Sequence, residues 1–352
     1  MSLTDWGWDD KWAASFAALG VAEWVPARVV RGARGVYTVR GEAGEWVAET
    51  SGKFRHRTTS RADFPAVGDW VAIEQGIVIQ AILPRRSRFS RKQPGEKTEE
   101  QIVAANVDTV FLVCGLDGDY NPRRIERYLG PAWDSGARPV LVLNKADVRA
   151  DALACVQEIE SLAAGVPVHL IAACDGTGFA ALESYLRPGH TIALVGSSGA
   201  GKSTLINRLL GEERLVTGDV RATDSRGRHT TSHRELLRLP GGTLMIDNPG
   251  LRELQLWSDE VGLEAAFEDV DALAVNCRFR DCRHGNEPGC AVQAALTTGV
   301  LPMERYESYL KLRRELAFLA RQQDQRAQLQ EKSRGKKVNR DFRQRLRAKS
   351  QE

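Results

Sequence analysis

Gly196-Ser197-Ser198-Gly199-Ala200-Gly201-Lys202-Ser203-Thr204 constrains this chain more than any other stretch. It satisfies G-x-x-x-x-G-K-[ST] at every specified position. Before it, Thr191–Val195 is a short apolar run that reads as a buried parallel strand. After it, Leu205, Ile206, Leu209 and Leu210 recur at helical spacing, and Gly211 stands where the helix should stop. A strand that turns through glycines into a helix closes backbone N–H groups around an anion at the helix's positive end. The pattern predicts a phosphate cradle in which Lys202 reaches the β- and γ-phosphates and Ser203 ligates Mg²⁺.

Two further motifs say which nucleotide the cradle takes. The apolar strand Val140–Leu143 runs into Asn144-Lys145-Ala146-Asp147, at the strand end where ligands bind in an open α/β sheet. A carboxylate there accepts hydrogen bonds from guanine N1–H and the exocyclic amino group. Adenine offers no such pair, so Asp147 selects GTP over ATP. Asp247-Asn248-Pro249-Gly250 ends a second apolar strand, Thr243–Ile246. Asp247 is expected to hold the Mg²⁺ shell through water, and the Gly250 N–H to sense the γ-phosphate. Upstream, Arg226-Gly227-Arg228-His229-Thr230-Thr231 is spaced to act as a switch whose Thr231 ligates Mg²⁺ in the GTP state.

Alternation continues around these motifs. Val110–Val113 reads as a strand, Arg123–Trp133 as a helix, Ala152–Ala163 as a helix and Val166–Ile171 as a strand. The expectation is a mostly parallel sheet with helices on both faces. The guanine-reading motif precedes the phosphate loop, whereas ordinary GTPases have it after. Circular permutation of one sheet explains the order, because domain termini often lie close together. The Asp247–Gly250 turn then leads directly into the C-terminal region.

That region carries Cys277-x4-Cys282-x-His284-x5-Cys290, the donor set of one structural, tetrahedral Zn²⁺ with no position left for catalysis. The other three cysteines, Cys114, Cys155 and Cys174, lie in apolar segments and are expected to be reduced core residues.

Residues 24–88 read as five short strands punctuated by glycines: Ala27–Arg31, Val36–Arg40, Trp46–Thr50, Asp69–Glu74 and Ile77–Leu83. Five strands in that length suit a small closed barrel of the OB type. Lys53, Phe54, Arg55, His56, Arg57 and Arg61 form one basic run, and Arg85, Arg86, Arg88, Arg91 and Lys92 a second. Two such runs on one barrel predict an RNA surface, with Lys53, Phe54, Arg55, Arg57, Arg86 and Arg88 as its contacts.

The predicted organisation is a multidomain α/β chain. It comprises a helical N-terminal extension (1–22, one amphipathic helix), an OB-fold RNA-binding domain (23–90) and a linker (91–105). A circularly permuted GTPase domain (106–255), a helical zinc-binding domain (256–320) and a basic tail (321–352) follow. The composition, 42% hydrophobic and 27% charged over 352 residues, is that of a globular protein. No run approaches a membrane span and the start lacks a signal-peptide pattern, so a cytoplasmic location is expected; the chain is also expected to act as a monomer.

With these motifs in place, the chain resembles the circularly permuted GTPases of the ribosome small subunit-dependent GTPase A family. The resemblance covers roughly residues 24–320. It rests on the permuted order, Gly227-Arg228-His229-Thr230-Thr231, the Asp247–Gly250 turn and the Cys3His pattern. That turn reads Asp-Asn-Pro-Gly where the family has Asp-Thr-Pro-Gly. The resemblance implies an OB–GTPase–zinc architecture and GTP hydrolysis stimulated by the small (30S) subunit, with a role in its late maturation and contact with 16S rRNA. It also implies that Asn144–Asp147 read guanine, that the Ala173 backbone contacts the base, and that Gly196–Thr204 hold phosphates and Mg²⁺. Where many GTPases place a water-orienting Gln, this chain has Leu251, so His229 is the candidate catalytic group beside Lys202 and Thr231. Two rival readings stand at this point: a P-loop ATPase or kinase, and a zinc-containing rRNA adaptor with a vestigial nucleotide site.

Overall fold

A computed structural model describes residues 2–92, 100–214, 234–247 and 267–314, apart from residues 34, 59, 76, 119, 286, 304 and 312. The chain forms two compact units, Met1–Ala266 and Phe267–Glu352.

The N-terminal extension is two pieces rather than the single expected helix. A 3-10 turn, Leu3–Trp6, ends at Gly7, whose φ of 83° is left-handed. A Cβ at Gly7 would lie 2.5 Å from Gly189 O, so the backbone passes too close there for a side chain. The chain restarts as α1 (Asp10–Ala17), where the Asp9 carboxylate accepts the Trp12 N–H. Trp6 and Trp12 are buried, and Trp8 packs edge-on against Trp70 with centroids 4.6 Å apart.

Strands β1 (Trp24–Ala33), β2 (Val36–Gly41), β3 (Gly44–Thr50), β4 (Trp70–Glu74) and β5 (Val78–Ile82) follow, with α2 (Gly52–Arg57) between β3 and β4. The strand order β1-β2-β3-β5-β4 closes through β1–β4 pairing into the five-stranded barrel expected from the sequence. Period-two alternation turns Tyr37 and Val39 inward, onto Ala27, Val29, Val71, Ile73 and Ile79.

The expected linker, 91–105, is instead part of a strand pair: β6 (Arg88–Lys92) and β7 (Glu100–Ala105) are paired antiparallel. Phe89, Ile102, Val103 and Ala104 are buried, and that apolar content is why the segment folds rather than spans.

The nucleotide half supplies β8 (Thr109–Gly115), α3 (Pro122–Asp134), β9 (Arg138–Asn144), α4 (Ala152–Leu162), β10 (Val168–Leu170), β11 (Thr191–Val195), α5 (Lys202–Leu210), β12 (Arg234–Arg238) and β13 (Leu244–Asp247). The order β10-β9-β8-β11-β13 is parallel throughout; β12 pairs antiparallel with β13. Every residue of β8 and β11 is buried, as a strand covered on both faces requires. Gly211, at φ 72°, ends α5 where the spacing predicted. β10 is shorter than the predicted 166–171.

β1 also pairs with β12, at Arg31↔Glu235 and Gly32↔Arg234, so barrel and nucleotide sheet are one eleven-stranded sheet. Arg28, on β1 and 2% exposed, sits at this junction. Its guanidinium donates to Trp6 O, to Gly68 O at 3.2 Å, to Asn106 O at 3.2 Å and to Thr191 Oγ1 at 2.8 Å. Burial pulls it down to about 10, which still leaves it charged at neutral pH. Four oxygens from four separate segments take the place of water around the cation.

In the second unit, α6 (Glu268–Ala274) and α7 (Ala291–Thr297) flank the cysteine–histidine cluster. The expected helical run 303–332 lies partly, and the basic tail wholly, outside the described residues. Among the described residues no helix is long and apolar enough to cross a membrane.

Candidate nucleotide-binding site and metal centre

Parallel strands bring their C-terminal ends to one edge, which is where the predicted motifs meet. The phosphate loop leaves β11 at Gly196, where a Cβ would lie 2.1 Å from Val113 O on the neighbouring strand. The loop passes the half-buried Ser197 and the exposed Ser198 and Gly199, buries Ala200 and enters α5 through Gly201. Gly201 has φ 87°, and a Cβ there would lie 2.2 Å from Asn144 Nδ2. Lys202 is buried; its ammonium donates to Gly196 O at 2.8 Å and to Ser197 O, within the curl of the loop. Ser203 and Thr204 follow on the first turn of α5, half-buried.

Asn144, 2% exposed at the end of β9, joins the three segments that a nucleotide needs. Its Nδ2 donates to Ala200 O at 3.0 Å, and its Oδ1 accepts the Ala173 N–H at 2.9 Å. Ala173 therefore fastens the base loop to Asn144. Arg208 steadies the same loop by donating to Cys174 O at 3.2 Å and Asp175 O at 2.5 Å. Cys174 itself is exposed, which corrects its expected place in the core, whereas Cys114 and Cys155 are buried.

Lys145 adopts φ 66°, a left-handed conformation that costs a non-glycine residue on the order of 1 kcal/mol. It turns the chain into the 3-10 segment Ala146–Val148, whose Ala146 N–H donates to Ile171 O at 3.0 Å. The Asp147 carboxylate is left exposed at the sheet edge. Asp247, buried at the end of β13, reaches the same edge because β13 runs parallel to β11. His229, Thr230, Thr231, Gly250 and Leu251 lie outside the described residues.

Asp117, which no motif marks, pairs with Lys145 from the loop after β8. Its only signal is an acidic residue two positions beyond a buried strand's end.

On the barrel, Lys53, Phe54, Arg55 and Arg57 all lie on α2, which Ser51 caps by accepting the Phe54 N–H. Lys53, Phe54, Arg57, Arg86 and Arg88 line one cleft of about 780 Å³ that extends to Gly136 after α3. Two arginines of the second basic run are committed within the fold. Arg85 makes paired hydrogen bonds to the fully buried Asp69, both 2.8 Å, and donates to Ala62 O and Phe64 O. Arg86 makes two 2.6 Å bonds to Asp9 and lies 4.0 Å over Trp12, so it anchors the N-terminal extension. This contact holds the Asp9 carboxyl down to about 2. Arg55 pairs with Glu49 at the surface.

The four donors of the C-terminal cluster converge, all within 4.8 Å of one another. Cys277 Sγ lies 3.5 Å from His284 Nδ1 and 3.8 Å from Cys290 Sγ, and Cys290 Sγ lies 3.6 Å from His284 Nδ1. A tetrahedron with metal–sulfur bonds of about 2.3 Å has edges of about 3.8 Å, so these residues fit a metal ion. His284 is itself left-handed, φ 57°. Its carbonyl accepts Gln293 Nε2–H at 2.6 Å and Tyr306 Oη–H at 2.8 Å, which fixes the ring's backbone.

Comparison with known proteins agrees with this geometry. The model of the RsgA GTPase family matches residues 82–257. The small ribosomal subunit biogenesis GTPase RsgA of Opitutus terrae is 49% identical over 352 residues, covering 96% of both chains. The crystal structure of YjeQ from Thermotoga maritima aligns with a TM-score of 0.62 at 28% identity, covering 84% of this chain and 99% of that one. YloQ, described as a circularly permuted GTPase, shares the fold with a TM-score of 0.58 at 22% identity, covering 84% of this chain and 96% of its own.

Proposed function

The chain belongs to the RsgA GTPase family, and from that membership we propose that it hydrolyses GTP on the small (30S) ribosomal subunit, during the subunit's late maturation, and departs once hydrolysis is complete. The observation that carries this reading is the double engagement of Asn144, which makes base loop and phosphate loop parts of one site. Guanine is read by Asp147, and the triphosphate lies in the curl from Gly196 to Thr204. Lys202 exchanges the carbonyls of Gly196 and Ser197 for phosphate oxygens. Mg²⁺, for which Ser203, Thr231 and Asp247 are the protein groups, supplies charge neutralisation at the phosphates.

Leu251 cannot hydrogen-bond a water molecule, so turnover without the subunit is slow. His229 orients the attacking water on the small subunit. His229→Ala is expected to abolish the stimulated rate while leaving binding intact; full stimulated turnover in that variant would remove His229 from the mechanism. The Cys277, Cys282, His284 and Cys290 donors hold one structural Zn²⁺. The α2 cleft takes 16S rRNA through Lys53, Phe54, Arg57 and Arg88. The protein works as a cytoplasmic monomer, and its binding to the subunit weakens steeply with salt as phosphate counterions return.

The deciding experiment is nucleotide turnover with and without purified small subunits. Strong stimulation with GTP, and none with ATP, is expected. A preference for ATP, or no response to subunits, would refute the proposal.

A further inference from the structure

The loop after β8 lies outside every sequence motif, yet it is fastened to the Asn144–Asp147 segment at successive points. Leu116 N–H donates to Asn144 O at 2.8 Å, and Tyr120 N–H closes the loop onto Asp117 O at 3.0 Å. Tyr120 is gripped in turn: its hydroxyl donates to Glu158 at 2.6 Å and its ring carries the Arg149 guanidinium at 4.8 Å. Between these points the Asp117 carboxylate pairs with the Lys145 ammonium. The carboxylate is folded over the end of β8. A Cβ at Gly115 would lie 2.9 Å from Asp117 Oδ1 and 3.5 Å from Ala200 Cα. On the other side, Lys145 Cε lies 3.9 Å from where a Cβ on Gly201 would stand. Asp117 and Lys145 thus bridge the loop after β8 to the phosphate loop.

We infer that Asp117 is a positioning residue for nucleotide recognition, acting by holding Lys145 against the phosphate loop. A lysine side chain has four rotatable bonds, and ordering them opposes binding. A partner that orders them beforehand removes that cost from the binding step. The pairing also has a sign. A bare carboxylate at this place would repel a nucleotide's phosphates, and the Lys145 ammonium cancels it. Asp117 is therefore useful only while Lys145 is present. This inference rests on the nucleotide-site reading above.

The test is a double-mutant cycle in the full-length protein, read by equilibrium binding of a fluorescent GDP analogue and by subunit-stimulated GTP turnover. The pair is partly exposed, so Asp117→Ala is expected to raise Kd roughly fivefold to tenfold. KM should rise by the same factor with kcat unchanged, because the contact is equally present in ground and transition states. Asp117→Asn should fall between, and it carries the test if the alanine variant does not fold. In a Lys145→Ala background, Asp117→Ala should cost nothing further or tighten binding. Equal losses in both backgrounds, or a wild-type Kd for Asp117→Ala, would overturn the inference. Wild-type affinity in Lys145→Ala alone would instead refute the nucleotide-site reading on which it rests.

Discussion

Replacing Asn144 by alanine should separate the nucleotide site into its parts without removing any atom that touches the ligand's phosphates. Asn144 is almost fully buried and makes one bond to each neighbouring loop, 3.0 Å to Ala200 O and 2.9 Å from Ala173 N. The variant leaves a buried carbonyl and a buried N–H without partners. Each orphaned group costs about 1–3 kcal/mol, and water entering the small space left behind recovers part of it. A net cost of about 2 kcal/mol, carried by the loops' mutual alignment, corresponds to a loss of roughly thirtyfold in affinity. The assay is displacement of a fluorescent GDP analogue, with melting curves taken with and without GDP. Ligand-free melting should fall by a few degrees. The larger effect should be on the GDP-induced rise, which tracks the ratio of ligand concentration to Kd. Binding within twofold of wild type, with an unchanged ligand-free transition, would refute the claim that Asn144 unites the site.

Asp147→Ala should reduce the preference for guanine over adenine nucleotides by roughly a hundredfold or more, measured by competition against the same analogue. Cys282→Ser should lower bound zinc from one per chain to none by elemental analysis, and the segment 267–303 around the cluster should become more readily cut by protease. Arg85→Met should destabilise the barrel by about 3–5 kcal/mol, because the fully buried Asp69 carboxylate loses both of its Arg85 hydrogen bonds; denaturant titration measures this. The Asp9–Arg86 contact lowers the Asp9 carboxyl from 3.8 to about 2. Its contribution is present above pH 3.8 and lost as pH falls toward 2. Tryptophan fluorescence from the extension should report that loss, and Arg86→Ala should abolish the transition.

What the sequence made legible was contiguous chemistry. The phosphate loop, the Asn144–Asp147 segment and the cysteine–histidine cluster each concentrate their residue types within a short span, and each took the predicted place. The barrel was also readable, because alternation and glycine punctuation are local. What stayed hidden depends on partners far along the chain. The acceptors of Arg28 lie from 22 to 163 residues away, and nothing near Arg28 marks it as a junction. Arg85 and Arg86 read in sequence as members of a solvent-facing basic run, and Arg86 as an RNA contact, because their acidic partners, Asp69 and Asp9, are 16 and 77 residues distant. A single N-terminal helix is what the apolar spacing predicts, because that spacing continues through Gly7, where close passage of Gly189 imposes a left-handed turn. Residues 91–105 read in sequence as a connector because Pro94-Gly95 carries the turn signal there, whereas the strand pairing is set by partners across it.

Sharing β1 between barrel and nucleotide sheet bears on how the protein can be dissected. A fragment begun after residue 90, the natural cut suggested by domain size, would strip β12 of its outer neighbour. The exposed main-chain amides and carbonyls of that new border would seek another chain, and the fragment should associate or precipitate. A barrel expressed alone would carry the mirror-image defect at Arg31 and Gly32. Neither half is a detachable cassette, and any graft onto another enzyme has to bring the seam with it.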